Sequence, residues 1–240
     1  MIVAIGNFLF RYRNGIFPLV YALLLFKSRP LLPDYRLAVL GGFLIALTGQ
    51  LLRAITIGLE YIKRGGRHRQ VYADYLVQGG VFAHCRNPLY LGNFLILLGV
   101  GLASNSLLFF TTVIIFFPFA YWAIIAAEEN YLRNKFGQEF ENYCACVNRL
   151  LPNFVGFRRT LTGMRFNWRR LIIAEYGSTY IWLAGITLVT LKNVWQNGDY
   201  HSGRPVVWVL WGVLGCVTLA YALARFLKKT RILKTDPTLT

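Results

Sequence analysis

"LYLGNFLILLGVGLASNSLLFFTTVIIFFPFAYWAIIAAEE", from Leu89 to Glu129, is the stretch whose reading decides the fold. It is apolar from Leu89 to about Ala103, turns at "SNS" (104–106), and is apolar again over 107–127. Crossing a bilayer takes about 20 predominantly apolar residues. The two runs therefore predict a membrane-embedded helical hairpin with an uncharged tip. Basic residues stand at both of its open ends, which by the positive-inside rule places those ends in the cytoplasm.

Further spans appear on either side. "LAVLGGFLIALTGQLLRAITIGLEYI" (37–62) is a span with Arg53 inside it. A charge at that depth is costly, so Arg53 either faces other helices or a polar cavity, or lies near the headgroups of a tilted helix. The first span is less sharply defined. "IFPLVYALLLF" (16–26) is short, and it extends either back through "MIVAIGNFLF", past Arg11 and Arg13, or forward to Leu32 with Lys27 snorkelling. Two more spans fall at roughly 171–191 and 205–225, separated by "KNVWQNGDYHSGR". The expectation is an all-α, polytopic transmembrane bundle of about six spans with both termini cytoplasmic. Lys27, Arg29 and Arg36, in the first external loop, run against that charge pattern.

Composition agrees. Of 240 residues, 56% are hydrophobic and 15% charged, against about 25% charged in soluble domains. The mean hydropathy is +0.46. The formal net charge of +16 sits mostly between apolar segments, where anionic headgroups are the natural counterions. No nucleic-acid-binding motif is present, so the expected partner is the membrane and not DNA or RNA. The cysteines, Cys85, Cys144, Cys146 and Cys216, form no CxxC pattern; no metal site is expected, and thiols are the default in the cytoplasm. Arg11 and Arg13 follow the first apolar run, unlike the n-region of a cleaved signal peptide.

The connections carry the remaining signals. "KRGGRHRQVYADYLVQGG" (63–80) is polar, with two Gly-Gly pairs that read as turns. In "EENYLRNKFGQEFENYCACVNRLLP" (128–152), Leu132, Phe136, Phe140, Tyr143 and Val147 mark one helix face, and Glu129, Arg133, Glu139 and Asn142 the other. This predicts an amphipathic segment at the interface, with Gly137 as a point of breakage. The linker 153–170 holds five arginines.

Two polar clusters stand at the open ends of the hairpin. "GGVFAHCRNPLYLGN" (79–93) enters its first helix, with Pro88 suited to the first helical turn. Glu128 and Glu129 leave its second. Antiparallel helices joined by a three-residue turn should bring His84, Arg86, Asn87 and Tyr90 close to Glu128 and Glu129. Such a site suits a small zwitterion, its carboxylate on Arg86 or free backbone N–H groups and its ammonium on a glutamate. Taken singly, each residue also has an ordinary explanation: a positive-inside arginine, an interface tyrosine, or glutamates paired with Arg133 or Lys135.

As an ordered set, these residues resemble the isoprenylcysteine carboxyl methyltransferase and phospholipid methyltransferase superfamily. Its pattern is roughly G-x-Y-x-x-x-R-H-P-x-Y-x-G, then E-E-x-x-L-x-x-x-F-G-x-x-Y-x-x-Y-x-x-x-V-x-R-x-x-P. Gly80, Arg86, Pro88, Tyr90 and Gly92 match the first half. Glu128, Glu129, Leu132, Phe136, Gly137, Tyr143, Val147, Arg149 and Pro152 match the second. Asn87 replaces the usual histidine and cannot titrate near neutral pH. Phe82 and Phe140 replace tyrosines.

The resemblance implies an integral membrane enzyme that transfers a methyl group from S-adenosylmethionine to a lipid or other hydrophobic acceptor arriving through the bilayer. It implies a catalytic core at 76–152 inside one membrane domain of 1–240, with 171–225 as two additional spans. Gly80, His84, Arg86, Asn87, Pro88, Tyr90, Glu128 and Tyr143 would form the cofactor pocket. Glu128, Glu129 and Arg149 would be the catalytic positions, and the amphipathic segment would cover the pocket. Two other readings remain open at this point. "YCACVNRLLP" is also close to the ending of membrane sterol reductases, which use NADPH. A non-enzymatic transporter or scaffold would give Arg53 a different role.

Overall fold

The computed structural model describes residues 1–59, 64–67, 70–163, 165–198 and 204–230. The chain runs α1 (Ile2–Tyr21), α2 (Tyr35–Leu59), a two-stranded ribbon β1 (Arg64–Arg67) and β2 (Gln70–Ala73), then α3 (Pro88–Ala103) and α4 (Leu107–Phe136). It continues with α5 (Gln138–Cys146), α6 (Phe157–Thr162), α7 (Trp168–Gln196) and α8 (Arg204–Lys229). The fold is an all-α bundle apart from the short antiparallel ribbon. Among the described residues, α2, α4, α7 and α8 are long and apolar enough to cross a membrane, and α3 is a shorter apolar helix. With α1, these helices occupy the positions of the six expected spans.

Several expectations change in detail. The first helix extends back to Ile2, carries Arg11 and Arg13, and ends at Tyr21. Gly65 and Gly66 form no turn; they lie in β1, opposite Tyr72 and Val71. Glu128 to Phe136 do not begin a separate interfacial helix but continue α4. That helix stops at Gly137, whose φ of +52° suits a residue without Cβ. α5 follows it, and the apolar face read from sequence then closes on itself, with Ala73, Leu132, Phe140 and Tyr143 forming a small core joined by Phe136 and Val147. Expected features at 60–62, 68–69, 199–203 and beyond 230 lie outside the described residues.

The tightest contact joins α2 to α3. A Cβ on Gly42 would lie 2.4 Å from the Gly99 carbonyl oxygen, and one on Gly49 would lie 2.6 Å from that of Gly92. In each helix the two glycines are separated by about two turns, so they share a face. In lipid no hydrophobic drive holds helices together, and close packing at small residues takes its place. α1 docks on α4 in the same way, where a Cβ on Gly6 would meet the Ala123 carbonyl oxygen.

The hairpin tip is fastened from outside. Asn105, at φ 49°, accepts from Leu31 N at 3.0 Å and Leu32 N at 2.8 Å, and donates to the Leu32 carbonyl at 3.0 Å. The end of α3 has carbonyls without intrahelical partners; Asn193 of α7 donates to that of Ala103 at 2.9 Å. α8 is the loosest member. Its one buried residue is Val207, and it presents Trp208, Leu219 and Leu223 outward.

The seam yields a direct expectation. Gly49→Leu should lower the unfolding temperature in detergent sharply, because forced backbone separation costs about 1–3 kcal/mol or more. Gly177→Ala, with nothing near the added Cβ, should be neutral or slightly stabilising.

Candidate active site

Asn87 precedes α3, and Pro88 occupies its first turn, where a missing N–H costs nothing. In the same turn, Tyr90 Oη donates to Glu128 Oε1 of α4 at 2.6 Å. Glu129 is held by two guanidinium groups. Arg86 Nη2 lies 3.4 Å from its Oε1, and Arg149 binds both carboxylate oxygens, with Nε 3.2 Å from Oε1. The hairpin therefore brings its two open ends together as expected. Glu128 and Glu129 are both buried. Tyr90 is the one partner of Glu128 among the described residues, which leaves its second oxygen open.

The segment before α3 acts as a clamp on the chain 148–160. Gly80, at φ 59°, opens a 3-10 turn over Gly80–Ala83 and lets the chain double back. Arg86 N then donates to the Asn148 carbonyl at 2.9 Å, and Asn153 N donates to that of His84, also at 2.9 Å. Cys85 Sγ lies 3.3 Å from the Leu150 carbonyl oxygen, and Asn87 Nδ2 donates to that of Arg149 at 3.1 Å. The His84 ring is engaged on both sides, by the Asn153 carbonyl at 2.7 Å and Thr160 Oγ1 at 2.8 Å. Tyr143 Oη donates to the Phe82 carbonyl at 2.7 Å, fastening α5 to the same turn.

The structure thus sorts the residues singled out from sequence. Arg86, Tyr90, Glu128, Glu129 and Arg149 converge. Gly80, His84, Asn87 and Tyr143 form the frame around them, and Pro88 starts the helix. Burial raises the pKa of the neighbouring Cys144 thiol, with Arg86 pulling it the other way. It stays a thiol at neutral pH and is a poor nucleophile there.

Sequence reading missed a second polar group beside this site. Arg53 is buried and forms a two-pronged ion pair with Glu175 of α7, Nε to Oε2 at 2.8 Å and Nη2 to Oε1 at 2.5 Å. Its Nη1 donates to Asn93 of α3. Gln50 Nε2 donates to the same glutamate at 3.2 Å, and Gln50 Oε1 accepts from Trp182 Nε1 at 3.0 Å. Of the two locations open for Arg53, the one facing other helices holds. The signal was available: a buried arginine requires a counter-charge, and Glu175 is the one acidic residue in the expected span 171–191.

Residues 37–139 match the phospholipid methyltransferase family. A cobalt-zinc-cadmium resistance protein of Cupriavidus metallidurans, CzcN, is 30% identical over 200 residues, covering 78% of this chain and 83% of that protein. The chain belongs to the isoprenylcysteine carboxyl methyltransferase and phospholipid methyltransferase superfamily. A nickel-cobalt-cadmium resistance protein of Alcaligenes xylosoxydans xylosoxydans, NccN, is 28% identical over 116 residues, covering 48% of this chain and 52% of that protein. No solved structure matches. As a superfamily member, the chain carries the methyltransferase signature on α3 and α4. α7 and α8 lie beyond residues 37–139, which match the family. Among the described residues, no group of three or more His, Cys, Asp or Glu side chains is placed to hold a metal ion.

Two outcomes test this geometry. Asn87→Ala should speed amide exchange across 148–160, whereas Asn87→His, which keeps a donor, should not; exchange mass spectrometry reads both. Glu175→Leu should destabilise the protein by about 3–5 kcal/mol by leaving Arg53 uncompensated. Arg53→Met added to it should restore most of that loss in thermal unfolding.

Proposed function

We propose that the protein is an S-adenosylmethionine-dependent methyltransferase, with residues 76–152 as its catalytic core, acting on a lipid or other hydrophobic acceptor at the cytoplasmic membrane face. The observation that carries this reading is the charge balance at the hairpin's open end. Arg86 and Arg149 both contact the carboxylate of Glu129, so two positive charges stand beside it. Glu128, bonded to the neutral Tyr90 hydroxyl, leaves one negative charge and an open oxygen. A zwitterionic amino-acid end, such as the methionine moiety of the cofactor, complements that pair: its carboxylate toward the guanidinium groups and its ammonium toward Glu128.

The cofactor, when bound, supplies an electrophilic methyl group on a sulfonium. The protein's part is placement and exclusion of water. Tyr90 holds the Glu128 carboxylate in one orientation, and the two arginines fix Glu129, so the ligand meets groups already in position. The clamped segment 148–160 and α5 cover the site, and a drier surrounding strengthens each charge interaction within it. A carboxylate acceptor needs no base. An amine acceptor has to lose a proton first, and the Glu128 carboxylate would take it.

The two relatives are named for resistance to divalent metals. We extend that context to this chain as methylation of a membrane component in cells exposed to such metals. The site itself offers paired carboxylates and guanidinium groups, a set built for an organic zwitterion.

Calorimetric titration of the purified protein in detergent tests the reading, with S-adenosylhomocysteine and, separately, NADPH. Binding of the first alone is expected. Glu128→Gln should abolish it while leaving the unfolding temperature unchanged, and wild-type binding in that variant would remove Glu128 from the site. Binding of NADPH alone would make the protein a reductase.

A further inference from the structure

The two spans beyond the family match enclose a slot that the proposed methyl transfer does not use. A cavity of about 380 Å³ lies between α2, α7 and α8. Gln50 and the buried Glu175 form its polar floor, and its walls are mostly apolar, with Leu171 at one end and Leu183 and Val217 at the other. Tyr176, Tyr180 and Tyr221 also line it. The Tyr221 ring lies 4.6 Å from that of Tyr180 and 5.4 Å from that of Tyr176.

Two cations mark the mouth of this slot, at the end of the bundle that carries the active site. Arg225 Nη1 donates to Tyr221 Oη at 3.1 Å. Lys228 Nζ donates to the Ile173 carbonyl at 3.1 Å and sits 5.1 Å from the Tyr176 ring. Both side chains are exposed, so their charges remain available to an anion. From Leu171 to Leu183 the slot follows α7 for roughly 18 Å at 1.5 Å per residue. That is close to one leaflet of a hydrocarbon core about 30 Å thick. A groove of that length, apolar along its walls and basic at its mouth, matches an extended hydrocarbon chain with an anionic head.

We propose that this slot binds one acyl chain of a membrane phospholipid, with the lipid phosphate held by Arg225 and Lys228. The chemistry runs in the order a lipid presents it: basic at the mouth, aromatic one to two turns in, aliphatic at the far end. Charge-assisted bonds to phosphate supply the selectivity, and the fit of a single chain supplies the contact area. The inference does not depend on methyl transfer.

Photo-crosslinking of the full-length protein in dodecylmaltoside tests it. The probes are phosphatidylglycerol carrying a diazirine on one acyl chain and a diacylglycerol with the same chains but no phosphate. Peptide mass spectrometry should find label within 171–183 and 214–224, several-fold stronger for phosphatidylglycerol. Arg225→Ala with Lys228→Ala should reduce that label to the diacylglycerol level. Ala220→Trp, which fills the slot, should remove label from both probes with elution and unfolding temperature unchanged. Should that variant misfold, Val217→Phe provides the same block. Equal labelling by the two probes, label unchanged by a folded blocking variant, or label spread over the outward residues Leu219 and Leu223 would each overturn the proposal. So would a stable dimer in which a second copy shields the slot from both probes. No methyl donor is present, so this result and the cofactor titration stand or fall separately.

Discussion

Gly49 of α2 and Gly92 of α3 lie so close that neither has room for a Cβ, and the Arg53 side chain crosses directly over Gly92. Backbone contact at this point sets the position of α3 along α2. It brings Arg53 within reach of Asn93 on one side and Glu175 on the other. An unpaired guanidinium at this depth would be costly to keep. The helix that supplies its counter-charge is therefore bound to the same seam, and α7, outside the family match at 37–139, is drawn onto the core. Tyr90, one turn from Asn93, takes its direction from the same contact.

The second constraint lies at the opposite end of the polar group. The chain entering α3 carries four consecutive residues, His84 to Asn87, and each one bonds to the segment 148–160. The Arg86 side chain also reaches Glu129. A charge and a helix breaker at a membrane boundary thus form a frame: Pro88 starts the helix, and the residues before it pin the chain that returns from α5. The asparagine at position 87 acts through its side-chain N–H on a backbone carbonyl, which requires a donor and no titrating group.

The site that results is polar within an apolar bundle, and its charges are nearly balanced. Two guanidinium groups meet one carboxylate, while a second carboxylate a residue away is bonded only to a neutral hydroxyl. This separation of positive from negative charge is what the zwitterionic ligand of the proposed function would meet. The exposed apolar surface of α8 and the basic residues at its end serve a different partner, the bilayer itself.

The amino-acid sequence by itself determined the helical membrane architecture, because runs of apolar residues without charge have few other stable states. It also determined the hairpin over 89–127 and the meeting of Tyr90 with Glu128, because a three-residue turn leaves antiparallel helices no other arrangement. The apolar face of Leu132, Phe140 and Tyr143 was legible from its spacing for the same local reason. The continuation of α4 to Phe136 was not, since interfacial and spanning helices share one periodicity and differ only in what they pack against. Only the tertiary structure decided that Arg53 pairs with Glu175, 122 residues away. It also decided that His84 and Asn87 hold the chain at 148–160, and that α2, α7 and α8 leave an apolar groove between them. Each of these depends on which helix faces lie together, and that choice rests on glycine contacts between elements distant in sequence. No periodicity within one segment records it.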